Sequence, residues 1–122
     1  MDDKLYWVGF NLVKGIGAVR FRALLDAFGD AESAWKASPA ELAAAGLGAK
    51  LVERLVEVRS SVDLIQYWEG MQRQGIRVLT WDDATYPAQL NEIDQPPPVL
   101  YLRGELSAED AWAVAKIGRA HV

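Results

Sequence analysis

The sequence predicts an α+β chain, because its first 74 residues read as consecutive helices and the remainder contains short β-branched segments. In the first part, apolar side chains recur at helical spacing, as at Phe21, Leu24 and Phe28. After Gly75 the segments IRVLTW and VLYLR are short, β-branched and bounded by turn residues, which is typical of strands. We therefore divide the chain into a helical domain over residues 1–74, an α/β part over 75–115 and a tail over 116–122.

The first two predicted helices are separated by the segment KGIG. Asp2 or Asp3 can cap the first helix, which we expect to run through Leu12. The second helix is predicted over Ala18–Phe28, where Gly29 can end it in a left-handed conformation.

Four more helices are predicted before residue 75. Asp30 can cap a short helix that carries Trp35. In the segment SPAE, Ser38 is a candidate N-cap and Glu41 can complete a capping box. Two further helices have apolar stripes, at Leu51, Leu55 and Val58 and at Leu64, Ile65, Trp68 and Met71.

The second part alternates strands with short connections. Strands are predicted over Ile76–Trp81 and Val99–Arg103, with a short helix over Tyr86–Ile93 between them. The segment QPPP is stiff polyproline-II chain that leads into the second strand. A third strand is expected from Trp112, so the pattern favours a layered α/β sheet.

An internal repeat is present, because GIGAVRFRALL and GLGAKLVERLV align without a gap. Each copy has an apolar residue between two glycines, then Ala and a helix with an apolar stripe, and each follows a helical segment. A tight hairpin needs positive φ, which glycine adopts at no steric cost. The sequence therefore predicts a helix-hairpin-helix motif that occurs twice.

The two hairpins are candidate DNA-phosphate sites, because such a turn exposes backbone N–H groups at a helix start, where the helix dipole favours anions. The candidate DNA-binding residues are Lys14, Gly15, Ile16, Gly17, Arg20, Gly46, Gly48 and Lys50. In the alternative interpretation the hairpins only connect helices or contact another protein. Glu53 near the second copy favours that alternative, as do Phe21 and Val52, which stand where the motif prefers a small residue.

Composition excludes several classes of protein. The net charge of −4 argues against strong non-specific DNA binding by the whole surface. The absence of cysteine excludes disulfides and thiolate metal sites and fits a cytoplasmic location. No apolar run approaches the roughly 20 residues of a membrane span. The single histidine, His121, provides no catalytic set, so we expect neither an enzyme nor a cofactor or metal.

Two other groups of residues could carry chemistry. Asp82 and Asp83 follow a strand, but no partner is recognisable, so a turn and helix cap is the favoured interpretation.

Tryptophans can stack on bases. Trp35 and Trp68 lie on apolar stripes and are expected in the core. The tryptophans whose role the sequence leaves open include Trp7 and Trp81.

These residues together resemble the N-terminal part of the bacterial DNA-processing protein A family, also called DprA or Smf. The resemblance covers about Leu5 to Ala115 and is carried by GIGAVRFRALLDAFGD, ELAAAGL and QGIRVLTWDDATYPAQLNEIDQPPPVLYLRGEL. It implies a SAM-like, helix-hairpin-helix domain over residues 1–74, followed by the truncated start of a Rossmann-like domain over 75–115.

The resemblance also implies a function. Family members are expected to be cytoplasmic homodimers that bind incoming single-stranded DNA and load RecA recombinase during natural transformation, without membrane contact or nucleotide hydrolysis. In the family the segment at Ala113–Ala115 leads to the main DNA-binding turn, so we expect this chain to be an N-terminal fragment without most of that site. The alternative function is a helix-hairpin-helix protein–protein interaction module that binds no nucleic acid.

The ending IGRAHV does not match the family pattern. It is the translation of ATC GGA AGA GCA CAC GTC, a string that begins a widely used sequencing adapter and is followed there by the stop codon TGA. We therefore expect residues 116–122 to be a non-native tail.

Overall fold

The structure, a computed structural model, describes residues 3–103, and within that range the chain is α+β as predicted. The elements in chain order are α1 (Lys4–Asn11), α2 (Ala18–Phe28), α3 (Ala31–Lys36), α4 (Pro39–Ala44), α5 (Ala49–Ser61), α6 (Leu64–Arg73), β1 (Ile76–Thr80), α7 (Ala88–Asn91) and β2 (Val99–Arg103). None of the helices in this range has both the length and the apolar character needed to cross a bilayer. The predicted third strand and the tail lie outside the described residues.

Most predicted helix caps form as expected. The Asp30 side chain accepts a hydrogen bond from the Ser33 N–H at the start of α3. Ser38 and Glu41 form the reciprocal capping box at the start of α4. Gly29, which follows α2, has a φ of 93° and donates its N–H to the Leu25 carbonyl. Local sequence determined these ends because each cap acts on residues a few positions away.

The predicted Asp3 cap of α1 is wrong. Asp3 precedes α1 but makes no side-chain cap there. Its carboxylate instead accepts the N–H groups of Ala31 and Glu32 at the start of α3, at 3.2 and 2.8 Å, and the indole N–H of Trp7 at 3.2 Å. The fold brings the start of α3 to Asp3, so one carboxylate joins two helices that are far apart in sequence.

Three further predictions differ in detail. Ile65 is 49% exposed and does not belong to the buried stripe of α6. Strand β1 ends at Thr80 rather than Trp81, because Asp83 accepts the Thr80 N–H at 2.7 Å and turns the chain. The helix predicted over Tyr86–Ile93 is only the short α7.

Strands β1 and β2 form an antiparallel pair in which Val78 lies opposite Tyr101 and Leu79 opposite Leu100. Side chains alternate between the two faces of the pair. On one face Val78 and Tyr101 pack against the helices. On the other face Leu79 and Leu100 pack with Leu90 of α7. The described strands thus show no parallel pairing, and the Rossmann-like assignment stays a prediction.

An aromatic cluster joins the helices to the strand pair. The ring centroid of Phe21 in α2 lies 4.8 Å from that of Trp7 and 5.3 Å from that of Phe10, both in α1. The Trp81 centroid, just after β1, lies 5.6 Å from Trp7 and 5.9 Å from Phe21. The main core also contains Val78, so it crosses the predicted boundary between residues 74 and 75. The division of the chain into domains at residue 74 stays a prediction.

Replacing Trp81 with alanine tests how far the helices depend on the strand pair. We expect Trp81→Ala to lower the free energy of unfolding by about 2–4 kcal/mol, because it leaves a cavity against Trp7 and Phe21. Urea unfolding followed by circular dichroism measures the change in the helices. Tyr67→Ala is the control, because that ring is 41% exposed. A helical transition unaffected by Trp81→Ala would contradict a shared core.

Candidate nucleic-acid interface

The two glycine hairpins have the same backbone geometry. The first glycine of each, Gly15 and Gly46, has a φ of 97° and 99°, respectively, a region that favours glycine. The apolar residue that follows, Ile16 or Leu47, is buried, with 8% and 6% of its surface exposed. The side chain of Ile16, one of the predicted candidates, therefore anchors its hairpin in the core.

The second glycine of each hairpin leaves a helix start uncapped. Gly17 and Gly48 are the N-cap residues of α2 and α5 in extended conformation, and neither can supply a side-chain cap. By contrast, Asp30, Ser38 and Asp63 cap the starts of α3, α4 and α6. The first-turn N–H groups of α2 and α5 thus stay available to an acceptor from outside.

The first hairpin packs on the helix that follows the second hairpin. A Cβ atom on Gly15 would lie 2.7 Å from Leu51 Cδ2 and 3.0 Å from an Arg54 guanidinium nitrogen. The same guanidinium donates a hydrogen bond of 3.2 Å to the Lys14 carbonyl. Because Leu51 lies in the first turn of α5, the first hairpin stands beside that helix start. Arg54 is not among the candidate residues predicted from the sequence.

The charges around the hairpins are mostly positive. Lys14, Arg20 and Lys50 are exposed, as contact with a phosphate requires. The first turns of α2 and α5 contain no acidic residue. Glu53, one turn further along α5, is exposed and is the acidic exception. The structure therefore places the uncapped N–H groups within a locally basic surface of a chain whose net charge is −4.

The two tryptophans of undecided role belong to the core rather than to a base-stacking surface. Trp7 is 3% exposed. The ring of Trp81 is half-buried between Trp7, Phe21 and the Arg22 guanidinium, whose carbon lies 4.3 Å from the ring centroid. Its indole N–H donates to the Pro96 carbonyl at 3.1 Å. Trp81 thus joins the start of the polyproline segment to the helices.

The carboxylates after β1 belong to a turn, as the sequence favoured, but the predicted helix cap is absent, because the N-cap residue of α7 is Pro87. Asp83 accepts the Thr80 N–H and pairs with Lys4, whose Nζ lies 2.8 Å from Oδ1. Burial alone would raise the pKa of the Asp83 carboxyl, but the hydrogen bonds and charge of Lys4 and the Thr80 N–H outweigh it and lower the pKa. Lys4 is the basic partner that the sequence did not reveal, because it is distant along the chain. Residues 3–103 hold no acidic, His or Cys cluster that fits a metal ion.

Comparisons with known proteins agree on one family. The family model described as DNA recombination-mediator protein A matches residues 77–121, so the match extends into the segment 116–122 that we expected to be a non-native tail. Protein Smf of Synechocystis sp. is 37% identical over 111 residues, which is 90% of this chain and 28% of that protein. The chain therefore spans about a quarter of the length of this relative, and the match includes both hairpins. No solved structure matches significantly.

The glycines should differ sharply in their tolerance of a methyl group. We expect Gly15→Ala to lower the free energy of unfolding by at least about 2 kcal/mol, from positive φ and contact with Leu51. Gly46→Ala causes the same backbone strain, but an added Cβ atom there meets no other atom within 4 Å. We therefore expect it to lower the free energy of unfolding by only about 1 kcal/mol. Gly70→Ala, inside α6, should stabilise by about 0.5–1 kcal/mol. Urea titration measures all three, and equal effects of Gly15→Ala and Gly46→Ala would contradict the close packing on α5.

The Lys4–Asp83 pair should make stability depend on pH. Because the pKa of Asp83 is below its ordinary 3.8, its contribution is complete above that value and disappears as pH falls through the lowered pKa. We expect Asp83→Asn to cost about 1 kcal/mol at neutral pH and less in acid. Urea unfolding from neutral pH into acid measures the difference in stability between the wild-type and Asp83→Asn chains. Asp82→Asn, at an exposed neighbouring residue, is the control. A difference independent of pH would contradict the role of the pair.

Proposed function

The chain belongs to the DNA recombination-mediator protein A (DprA/Smf) family, and from this premise we propose that it binds single-stranded DNA through phosphate contacts at its two glycine hairpins. The observation that carries the proposal is the pair of uncapped helix starts, at Gly17 and Gly48, on one basic surface. Each start offers N–H groups and the positive end of a helix dipole to a phosphate oxygen.

The hairpins are suited to the backbone of a nucleic acid rather than to its bases. N–H groups at a helix start contact phosphate oxygens, which carry no sequence information. Lys14, Arg20 and Lys50 add charge that displaces counterions from the strand, so binding should weaken as salt rises. The net charge of −4 limits the long-range attraction of DNA, so the proposed binding depends on short-range contacts at the hairpins.

The wider role in the family is part of the same proposal. As the resemblance implies, the whole protein would be a cytoplasmic homodimer that binds incoming single-stranded DNA and loads RecA recombinase during natural transformation. The chain spans 28% of the length of the Synechocystis relative, so we assign these activities to the longer protein. The role is that of a binding protein and requires neither a catalytic step nor a cofactor.

A second candidate function is protein contact through the same hairpin. Val19, in the first turn of α2, is 64% exposed, and an exposed apolar side chain beside a hairpin suits a protein partner. Phosphate binding and protein contact make opposite predictions for DNA affinity, which the following experiment separates.

A capping side chain introduced at Gly17 should compete with DNA phosphate for the first-turn N–H groups of α2. A Cβ atom added at Gly17 would meet no other atom within 4 Å, and the backbone there is extended, so Gly17→Asp can cap α2 without strain. We expect this variant to be more stable by a few tenths of a kcal/mol and to bind labelled oligothymidylate at least about threefold more weakly at low salt. Fluorescence anisotropy and thermal unfolding measure the two changes.

Ala40→Asp is the matched control, because it adds the same charge at an exposed position of α4, whose start is already capped. Gly48→Asp applies the test to the second hairpin. Loss of affinity without loss of stability, specific to the hairpin variants, supports the proposal. No DNA binding at high micromolar protein, or equal effects of Gly17→Asp and Ala40→Asp, would reject it and favour the protein-contact function.

A further inference from the structure

A cavity of about 620 Å³ lies between the end of α1, the outer face of α6 and the strand pair. Its volume is in the range of pockets that hold small organic ligands. Apolar side chains line part of it, at Leu12, Met71 and Ile76. Its other side chains are aromatic, amide or basic, at Tyr67, Tyr101, Asn11, Gln66, Gln74 and Arg103.

The lining has the chemistry that a nucleotide requires. Tyr67 is 41% exposed and offers a ring on which a base can stack. Amide side chains can donate to and accept from the edge of a base. Within residues 3–103 no carboxylate lines the cavity, and Arg103 supplies a positive charge. An aromatic ring that carries an anionic group therefore fits both the walls and the charge.

Two hydrogen bonds connect side chains of the lining. Asn11 donates an amide N–H to the Tyr101 phenol oxygen at 3.1 Å. Burial raises the pKa of Tyr101 to about 12, so the phenol stays neutral at ordinary pH and does not repel a phosphate. Arg103 reaches Gln74 only at 3.5 Å, a long hydrogen bond that its guanidinium can exchange for a phosphate at little cost.

Part of the cavity lining directly precedes the first hairpin in the sequence. Asn11 and Leu12, which form part of its wall, directly precede the segment from Val13 to Gly17. We propose that this cavity binds a nucleotide, with the base against Tyr67 and the phosphate towards Arg103. The nucleotide can be a free monophosphate or one unit of a DNA strand. Only the second source rests on the proposed function, because a neighbouring phosphate would then lie on the first hairpin.

The test uses the 122-residue chain labelled with ¹⁵N and follows the amide signal of Gly70, the glycine in the cavity lining. Thymidine monophosphate, thymidine, inorganic phosphate and oligothymidylate are titrated separately. We expect a saturable shift with thymidine monophosphate that neither thymidine nor phosphate reproduces at the same concentration. Binding of oligothymidylate alone would assign the cavity to the DNA strand and also support the proposal.

Variants separate stacking from charge. We expect Tyr67→Ala to weaken binding roughly tenfold and Tyr67→Phe to keep it, because a phenyl ring still stacks. Arg103→Gln should weaken the binding of thymidine monophosphate. It should leave the weaker binding of thymidine unchanged, because thymidine carries no phosphate. Ile65→Ala, at an exposed residue of α6 outside this lining, is the control. Arg77→Gln controls for charge at an exposed arginine of β1.

Two results would overturn the proposal: no saturable shift of Gly70 with any ligand, or equal affinity of the Tyr67→Ala and wild-type chains. The Gly17→Asp variant distinguishes the cavity proposal from the proposed DNA binding at the hairpins. If that variant binds thymidine monophosphate normally but loses oligothymidylate, both proposals hold. If it leaves both ligands unchanged while Tyr67→Ala weakens them, the cavity is retained and the hairpin site is rejected.

Discussion

The packing of Phe21 is the constraint on which the rest of the structure depends. Its ring contacts Trp7 of α1 and Trp81 after β1, so one side chain of α2 connects the helices with the strand pair. It is 2% exposed. The helix-hairpin-helix pattern prefers a small residue at this position, where a large ring instead fills the space between α1 and α2 and extends to a third element. A close-packed interior leaves such a ring little freedom to move.

That packing also orients the uncapped start of α2. Gly17 lies four residues before Phe21, so the buried ring determines which way the first turn of the helix faces. The close approach of Gly15 to Leu51 then places the hairpin beside the start of α5. The candidate phosphate surface is thus made by tertiary contacts between two repeats, each of which would offer only one helix start alone.

Charge is distributed so that a net acidic chain can still present a basic surface. Asp3, Asp30 and Asp63 are used as helix caps, and Asp83 is paired with Lys4. These carboxylates satisfy backbone N–H groups or a lysine within the fold. At the hairpins glycine replaces the capping residue, so no carboxylate caps these helix starts, and Lys14, Arg20 and Lys50 are exposed near them in the chain. Among residues 3–103, no carboxylate lines the cavity between α1, α6 and the strand pair either.

The sequence by itself determined the features that depend on neighbours along the chain: helix and strand order, the caps at Asp30 and Ser38, and the two glycine hairpins. Only the tertiary structure decided that Asp3 caps α3, that Lys4 pairs with Asp83, that Ile65 is exposed and that Arg54 holds the first hairpin. The physical reason is range. Caps and turns act over a few residues, whereas these contacts form between segments that only the packing around Phe21 brings together.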